Sequence, residues 1–222
     1  MYTLKFNSLL LVFLFLFISC EENKSKKQEK EQKDLALVPQ NLQDYETAYF
    51  ASGCFWCVEA IFESVNGVKE AVSGYSGGEE DSPTYQQVGM GLTSHAEAVE
   101  IYYDPKVVSF ETLVKVFFGS HDPTTKNRQG PDRGPQYRSV AFYKNAKEEQ
   151  IIRNYIKELE AKKVFEKKIV TEVAPFKKFW KAEDYHQDYE KKHPNNAYIR
   201  SVSIPRLEKF QKKFPDLLKK EH

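Results

Sequence analysis

Apolar and polar positions divide the chain into three stretches. Leu9–Ile18 is unbroken apolar sequence, Glu21–Lys33 carries no large apolar residue, and beyond Tyr45 the two kinds interleave. In that last stretch, Glu46–Ala51 stopped by Ser52-Gly53 predicts a strand entering a tight turn. Cys54–Val65 sets Cys57, Ala60, Ile61 and Ser64 at helical spacing. Val68–Tyr75 predicts a strand that runs into the loop Ser76-Gly77-Gly78. Ala98, Glu100 and Tyr102 alternate with Val99, Ile101 and Tyr103 until Asp104-Pro105 closes the strand. Phe110–Phe118 carries Leu113, Val114, Phe117 and Phe118 on a helical stripe. Ser139–Tyr143 predicts a strand, Ala146–Lys163 a long amphipathic helix and Ile169–Val173 a final strand. Few helices against several strands, with no regular alternation, predict an α+β domain: a two-layer sandwich with a mixed sheet and helices packed on it. The tail Pro205–His222 spaces Leu207, Phe210, Phe214, Leu217 and Leu218 among lysines, as a surface helix packed on the domain would. A helix lying on a membrane is the alternative.

The apolar run follows Lys5 and ends at Ser19-Cys20. Its ten residues fall short of the about twenty needed to cross a bilayer core, and match the length of a signal-peptide core. Phe17-Ile18-Ser19-Cys20 is similar to a bacterial lipoprotein box, so residues 1–19 are expected to be removed and Cys20 acylated; ordinary cleavage leaving a free thiol is the alternative. Glu21–Lys33 cannot bury enough surface to offset the entropy of ordering it, which makes residues 20–44 a lipidated flexible tether and 45–222 the folded domain. The expected location is a bacterial cell envelope, with the chain exported and anchored in a membrane.

Over the whole 222 residues, 33 Lys and Arg stand against 32 Asp and Glu. That balance gives no electrostatic reason for a nucleic-acid partner. Candidate chemistry gathers instead at Gly53-Cys54-Phe55-Trp56-Cys57, where the predicted strand becomes a helix. A cysteine in a first helical turn meets free N–H groups and the positive end of the dipole, so Cys54 is expected to be the more acidic thiol of the pair. Two cysteines three apart can also join in a disulfide. Buried inert thiols remain an alternative. Zinc is disfavoured, because no second Cys pair exists to complete four ligands. Phe55 and Trp56 read either as core anchors or, beside a turn at Gly53, as an exposed apolar surface for a methyl group.

These residues, followed by Glu59, Ile61 and Gly67-Val68, resemble the signature of the A-type peptide-methionine sulfoxide reductases. Further segments agree in order: Tyr75-Ser76-Gly77-Gly78, Pro83-Thr84-Tyr85, His95-Ala96-Glu97-Ala98-Val99, Tyr103-Asp104-Pro105, His121-Asp122-Pro123-Thr124, Asn127-Arg128-Gln129-Gly130, Asp132–Ser139 and Ala182–Gln187. The resemblance implies reduction of methionine S-sulfoxide, free or in proteins, without cofactor or metal, by a monomer recycled by a thioredoxin-like reductant. It implies Cys54 as nucleophile, Glu97 as acid with Tyr85 and Tyr137 donating beside it, Phe55 and Trp56 binding substrate, and Asp132 orienting substrate or water. From the residues alone, Glu97 also reads as a solvated edge charge and Asp132 as a turn residue. His186 is assigned no chemistry. The chain departs from the common pattern in having Cys57 where many members have Gly, and no cysteine in the C-terminal region, so Cys57 is expected to resolve oxidised Cys54. Direct reduction of Cys54 by an external thiol is the alternative.

Overall fold

A computed structural model describes residues 42–220. The expected signal segment, Cys20 and nearly all of the tether lie outside these described residues. Among them, no helix is long and apolar enough to cross a membrane. Tyr45 begins one compact unit that continues to the C-terminus.

Strand β1, Glu46–Ser52, sends Ala48 and Phe50 into one apolar cluster and Tyr49 and Ala51 into another, as the two-residue repeat of a strand requires. The chain continues through helix α1 (Phe55–Glu63), β2 (Val68–Ser76), short helix α2 (Tyr85–Gly89), β3 (Ala96–Tyr103) and α3 (Phe110–Gly119). A small hairpin of β4 (Arg128–Gln129) and β5 (Asp132–Arg133) follows, then β6 (Ser139–Tyr143), α4 (Ala146–Ala161), β7 (Glu172–Pro175), β8 (Phe179–Lys181), short helix α5 (Tyr189–Lys192) and α6 (Ile204–Lys213). Six strands form one sheet in the order β7-β6-β1-β3-β2-β8. Only β6 and β7 pair in parallel, so the sheet is mixed, as the α+β expectation has it.

Helices α1, α3 and α4 cover one face. The larger apolar cluster lies beneath them, with Phe50 stacked between Phe62 of α1 and Phe117 of α3 at centroid distances of 5.5 and 4.9 Å. Each such ring, fully buried, contributes roughly 1.5–3 kcal/mol. Ser109 and Asn145 begin α3 and α4 by accepting from the N–H groups of Thr112 and Glu148. The tail helix α6 packs on the domain: Phe210 is 1% exposed and belongs to the main cluster.

Two strands at the sheet edges differ from expectation. The strand expected at Ile169–Val173 begins at Glu172, because Ile169 is drawn into the core while Val170 N–H donates to Pro123 O, leaving Glu172 to pair with Val140. Nor is that strand the last. The three-residue β8 follows it and pairs Phe179–Lys181 with Ser76–Gly74, an edge strand too short to show alternation in sequence.

Candidate active site

Between β1 and α1 the chain turns at Gly53, whose φ of 91° lies in the left-handed region. A Cβ there would come within 2.6 Å of Gln129 Cβ, so the close approach of the hairpin also requires glycine. The turn makes Cys54 the N-cap of α1 and puts Cys57 in its first turn. Both are free thiols, buried to 6% and 1% exposure. Phe55, expected on the surface if it shaped a pocket, is instead a core residue at 1% exposure, because the first turn of α1 faces the sheet. Trp56 is half-buried. Its indole N–H donates to His186 Nδ1 at 3.1 Å, and its ring stacks on Tyr189 at 3.9 Å.

Glu97 is on β3 in phase with Val99, Ile101 and Tyr103, which are in the main core, so its side chain turns towards the helical layer. It is 2% exposed, and its Oε2 accepts from Phe55 N–H at 3.0 Å. A solvated edge charge is thereby ruled out. Burial pushes its carboxyl up to about 8 against the lowering effect of that hydrogen bond, which leaves it mostly protonated at neutral pH.

Glu97 thus takes one of the N–H groups at the start of α1. Burial holds the Cys54 thiol well above its ordinary range, reinforced by Cys57 and Glu97. Cys57 is brought down to about 6, first by its hydrogen bond with Cys54, against burial, and then by the Arg206 guanidinium. Both directions run against the expectation that Cys54 is the more acidic thiol of the resting pair.

The remaining expected residues converge on the same place. Tyr85 starts α2, with its N–H donating to Glu183 Oε1 at 2.9 Å, and its ring lies 6.2 Å from that of Phe55. Burial, then Glu97 and Cys54, push its phenol up to about 12. Tyr137, at the end of a single 3-10 turn after β5, is raised by burial and then by Glu97. Both therefore remain proton donors throughout the neutral range. Asp132 is half-buried in β5 and accepts from the Tyr198 hydroxyl at 2.6 Å. Burial raises its carboxyl as well.

Four residues of the site are not evident in the sequence. His186, assigned no chemistry, is 1% exposed and packs against Phe55, Trp56 and Tyr85. Glu183 carries both Tyr85 N–H and the Tyr75 hydroxyl. Both fall in the quoted segment Ala182–Gln187, which could have flagged them. Tyr198 reaches Cys57 Sγ at 3.8 Å, and Arg206 donates to Ser120 O at 2.8 Å and Ser52 Oγ at 3.3 Å. They come from the C-terminal region, where no sequence motif marks them.

A buried carboxylic acid and two thiols, with aromatic rings around them, can together supply a proton and two electrons to a polar bond. Residues 46–218 match a family model described as peptide methionine sulfoxide reductase. The chain belongs to this family. It is 48% identical to peptide methionine sulfoxide reductase MsrA 1 of Rhodopirellula baltica over 78% of this chain and 90% of that protein. It is 47% identical to the MsrA of Sulfolobus acidocaldarius over 77% of this chain and 96% of the relative. Among solved structures, the reduced form of Mxr1 from Saccharomyces cerevisiae aligns with a TM-score of 0.65 at 37% identity, covering 69% of this chain and 88% of that one. Methionine sulfoxide reductase A of Corynebacterium diphtheriae aligns at 0.62 and 36% identity, over 69% and 77% of the two chains. As a peptide methionine sulfoxide reductase, the chain is an oxidoreductase acting on methionine sulfoxide, with the α+β fold of its structural relatives.

Proposed function

We propose that this reductase acts on the S epimer of methionine sulfoxide through Cys54, with Glu97 as the acid and Cys57 as the resolving thiol. The observation that carries this reading is the Glu97 carboxyl, buried, raised to about 8, and fastened to the N–H of the residue after Cys54. In this scheme the Cys57 thiolate takes the Cys54 proton. Cys54 sulfur then attacks the sulfoxide sulfur, while Glu97 gives its proton to the oxygen and Tyr85 and Tyr137 donate to it. The hydroxyl passes to the Cys54 sulfur as the substrate's sulfur–oxygen bond and the bond between the two sulfurs break; methionine leaves, reduced by two electrons, and Cys54, oxidised by two, is left as a sulfenic acid. Trp56, fixed by Tyr189 and His186, supplies an apolar wall for the substrate methyl group, with Phe55 supporting it from the core. Asp132 orients substrate or water.

Cys57 then condenses with the sulfenic acid, giving a Cys54–Cys57 disulfide and water. The chain has three cysteines in all. With Cys20 acylated, no thiol of its own remains to reopen the disulfide, so the electrons come from an external dithiol protein of thioredoxin type. A single turnover tests the reading: the reduced chain given one equivalent of the S epimer should release one methionine and lose two thiols. No methionine would overturn it.

Anchoring is a separate proposal, based on the Leu9–Ile18 run and the residues around Cys20. The chain is exported, cut before Cys20 and held at a membrane by lipid on that sulfur. The mass of the native N-terminal peptide should include a diacylglycerol group; an unmodified Cys20, or cleavage elsewhere, contradicts the proposal.

A further inference from the structure

Tyr198 directly precedes one turn of π-helix, Ile199–Ser203, which runs into α6. Such turns recur at functional sites. Its hydroxyl donates to Asp132 Oδ2 at 2.6 Å and lies 3.8 Å from Cys57 Sγ. A phenol has one proton, and here it is committed to the carboxylate. What faces the sulfur is the oxygen lone pair, so whenever Cys57 carries a proton its S–H is the donor in that contact. The three groups form an ordered line, thiol to phenol to carboxylate. It starts at a sulfur on a residue 1% exposed and ends at a half-buried aspartate. Tyr198 and Asp132 also line an open groove of about 810 Å³, together with Phe165, Arg206 and Lys209, so the carboxylate end faces solvent.

We propose that Tyr198 and Asp132 are the proton exit for Cys57 when it closes the disulfide, a role that rests on reading Cys57 as the resolving thiol. The step balances as follows. The Cys57 proton passes to the Tyr198 oxygen as the Tyr198 proton passes to the Asp132 carboxylate. Cys57 sulfur attacks Cys54 sulfur and is oxidised, the sulfenic sulfur–oxygen bond breaks, and the Cys54 sulfur is reduced. Asp132 returns that proton to the water of the groove, where it neutralises the leaving hydroxide, and one water is formed. Cys57 needs such an exit because it carries the proton received from Cys54 and has almost no contact with water of its own. Tyr198 is thus a positioning and relay residue for the second chemical step, not for attack on the sulfoxide.

The ionisable groups facing Cys57 are Cys54, Glu97 and Arg206; those facing Tyr198 are Cys54, Cys57 and Asp132. Of these, ionised Glu97 is the rival acceptor for the proton. The test follows both steps in the full chain after one equivalent of sulfoxide, with methionine release and disulfide formation timed separately. In Tyr198→Phe, disulfide formation should slow by about tenfold or more while methionine release changes by less than about threefold, so that a trappable sulfenic acid accumulates. The slowed step should also gain a dependence on pH, quickening as pH rises, because the proton now leaves only to water or hydroxide. Asp132→Asn, which keeps the Tyr198 ring in place, should slow disulfide formation to a similar extent, and the double variant should be no slower than the worse single one. Disulfide formation at the wild-type rate in Tyr198→Phe overturns the proposal and points to Glu97. Equal slowing of both steps overturns it too, because that is what loss of packing would do. If wild type itself forms no Cys54–Cys57 disulfide, the reading of Cys57 fails instead.

Discussion

Cys54→Ser should abolish methionine sulfoxide reduction while leaving the domain folded. A serine hydroxyl ionises far above the physiological range and is a poor nucleophile towards sulfur, so no other group can replace the attacking thiol. The oxygen is smaller than sulfur, and Cys54 contributes no side-chain cap to α1, so neither helix nor core loses a specific partner. A second variant tests how the resting thiol pair is poised. Cys57 owes its low value of about 6 first to its hydrogen bond with Cys54. In Cys54→Ala, which has no donor at that position, the pH midpoint for alkylation of Cys57 should move upward. Sulfoxide turnover within a factor of ten of wild type would remove Cys54 from the mechanism.

Glu97→Gln should slow the release of methionine by something like 10²–10⁴, the range usual for loss of a positioned acid. The amide keeps the shape and can still accept from Phe55 N–H, so the entry to α1 is preserved. The sign of the pH dependence follows from the raised carboxyl. Wild-type Glu97 holds its proton below about 8, so the first-step rate should fall as pH rises through that value. The variant should lack this fall. Stability obeys the same linkage: a carboxyl raised in the folded state contributes stability that is full below its unfolded value near 4.3 and is lost as pH climbs through about 8. An amide that never ionises should flatten this part of the stability profile. Rates within threefold of wild type, or an unchanged alkaline fall, would exclude Glu97 as the acid.

What the sequence reveals about this fold depends on how long each element is and how it is buried. Strands β1 and β3 alternate over seven and eight residues against a two-sided core, so both their existence and their facing could be read. The same parity contains the answer for Glu97, which falls in register with Val99, Ile101 and Tyr103. β8 and α2, of three and five residues, are too short for any periodicity to emerge, and tertiary pairing decides them. Phe55 and the thiols show a different limit. A cysteine at a helix start is expected to be acidic from the dipole, but Glu97 accepts the first N–H of the helix from 42 residues further along the chain, and burial raises the Cys54 thiol. Tyr198 and Arg206 were hidden for the opposite reason: they lie 141 and 154 residues from the partners they touch, in a region whose lysine-rich pattern describes only its solvent face.

Disulfide mapping by mass spectrometry after the single turnover with methionine S-sulfoxide tests the central claim most directly. The account predicts one methionine released per chain and one peptide pair joined through Cys54 and Cys57. Methionine released with Cys57 still free, or no methionine at all from a fully reduced chain, would contradict it.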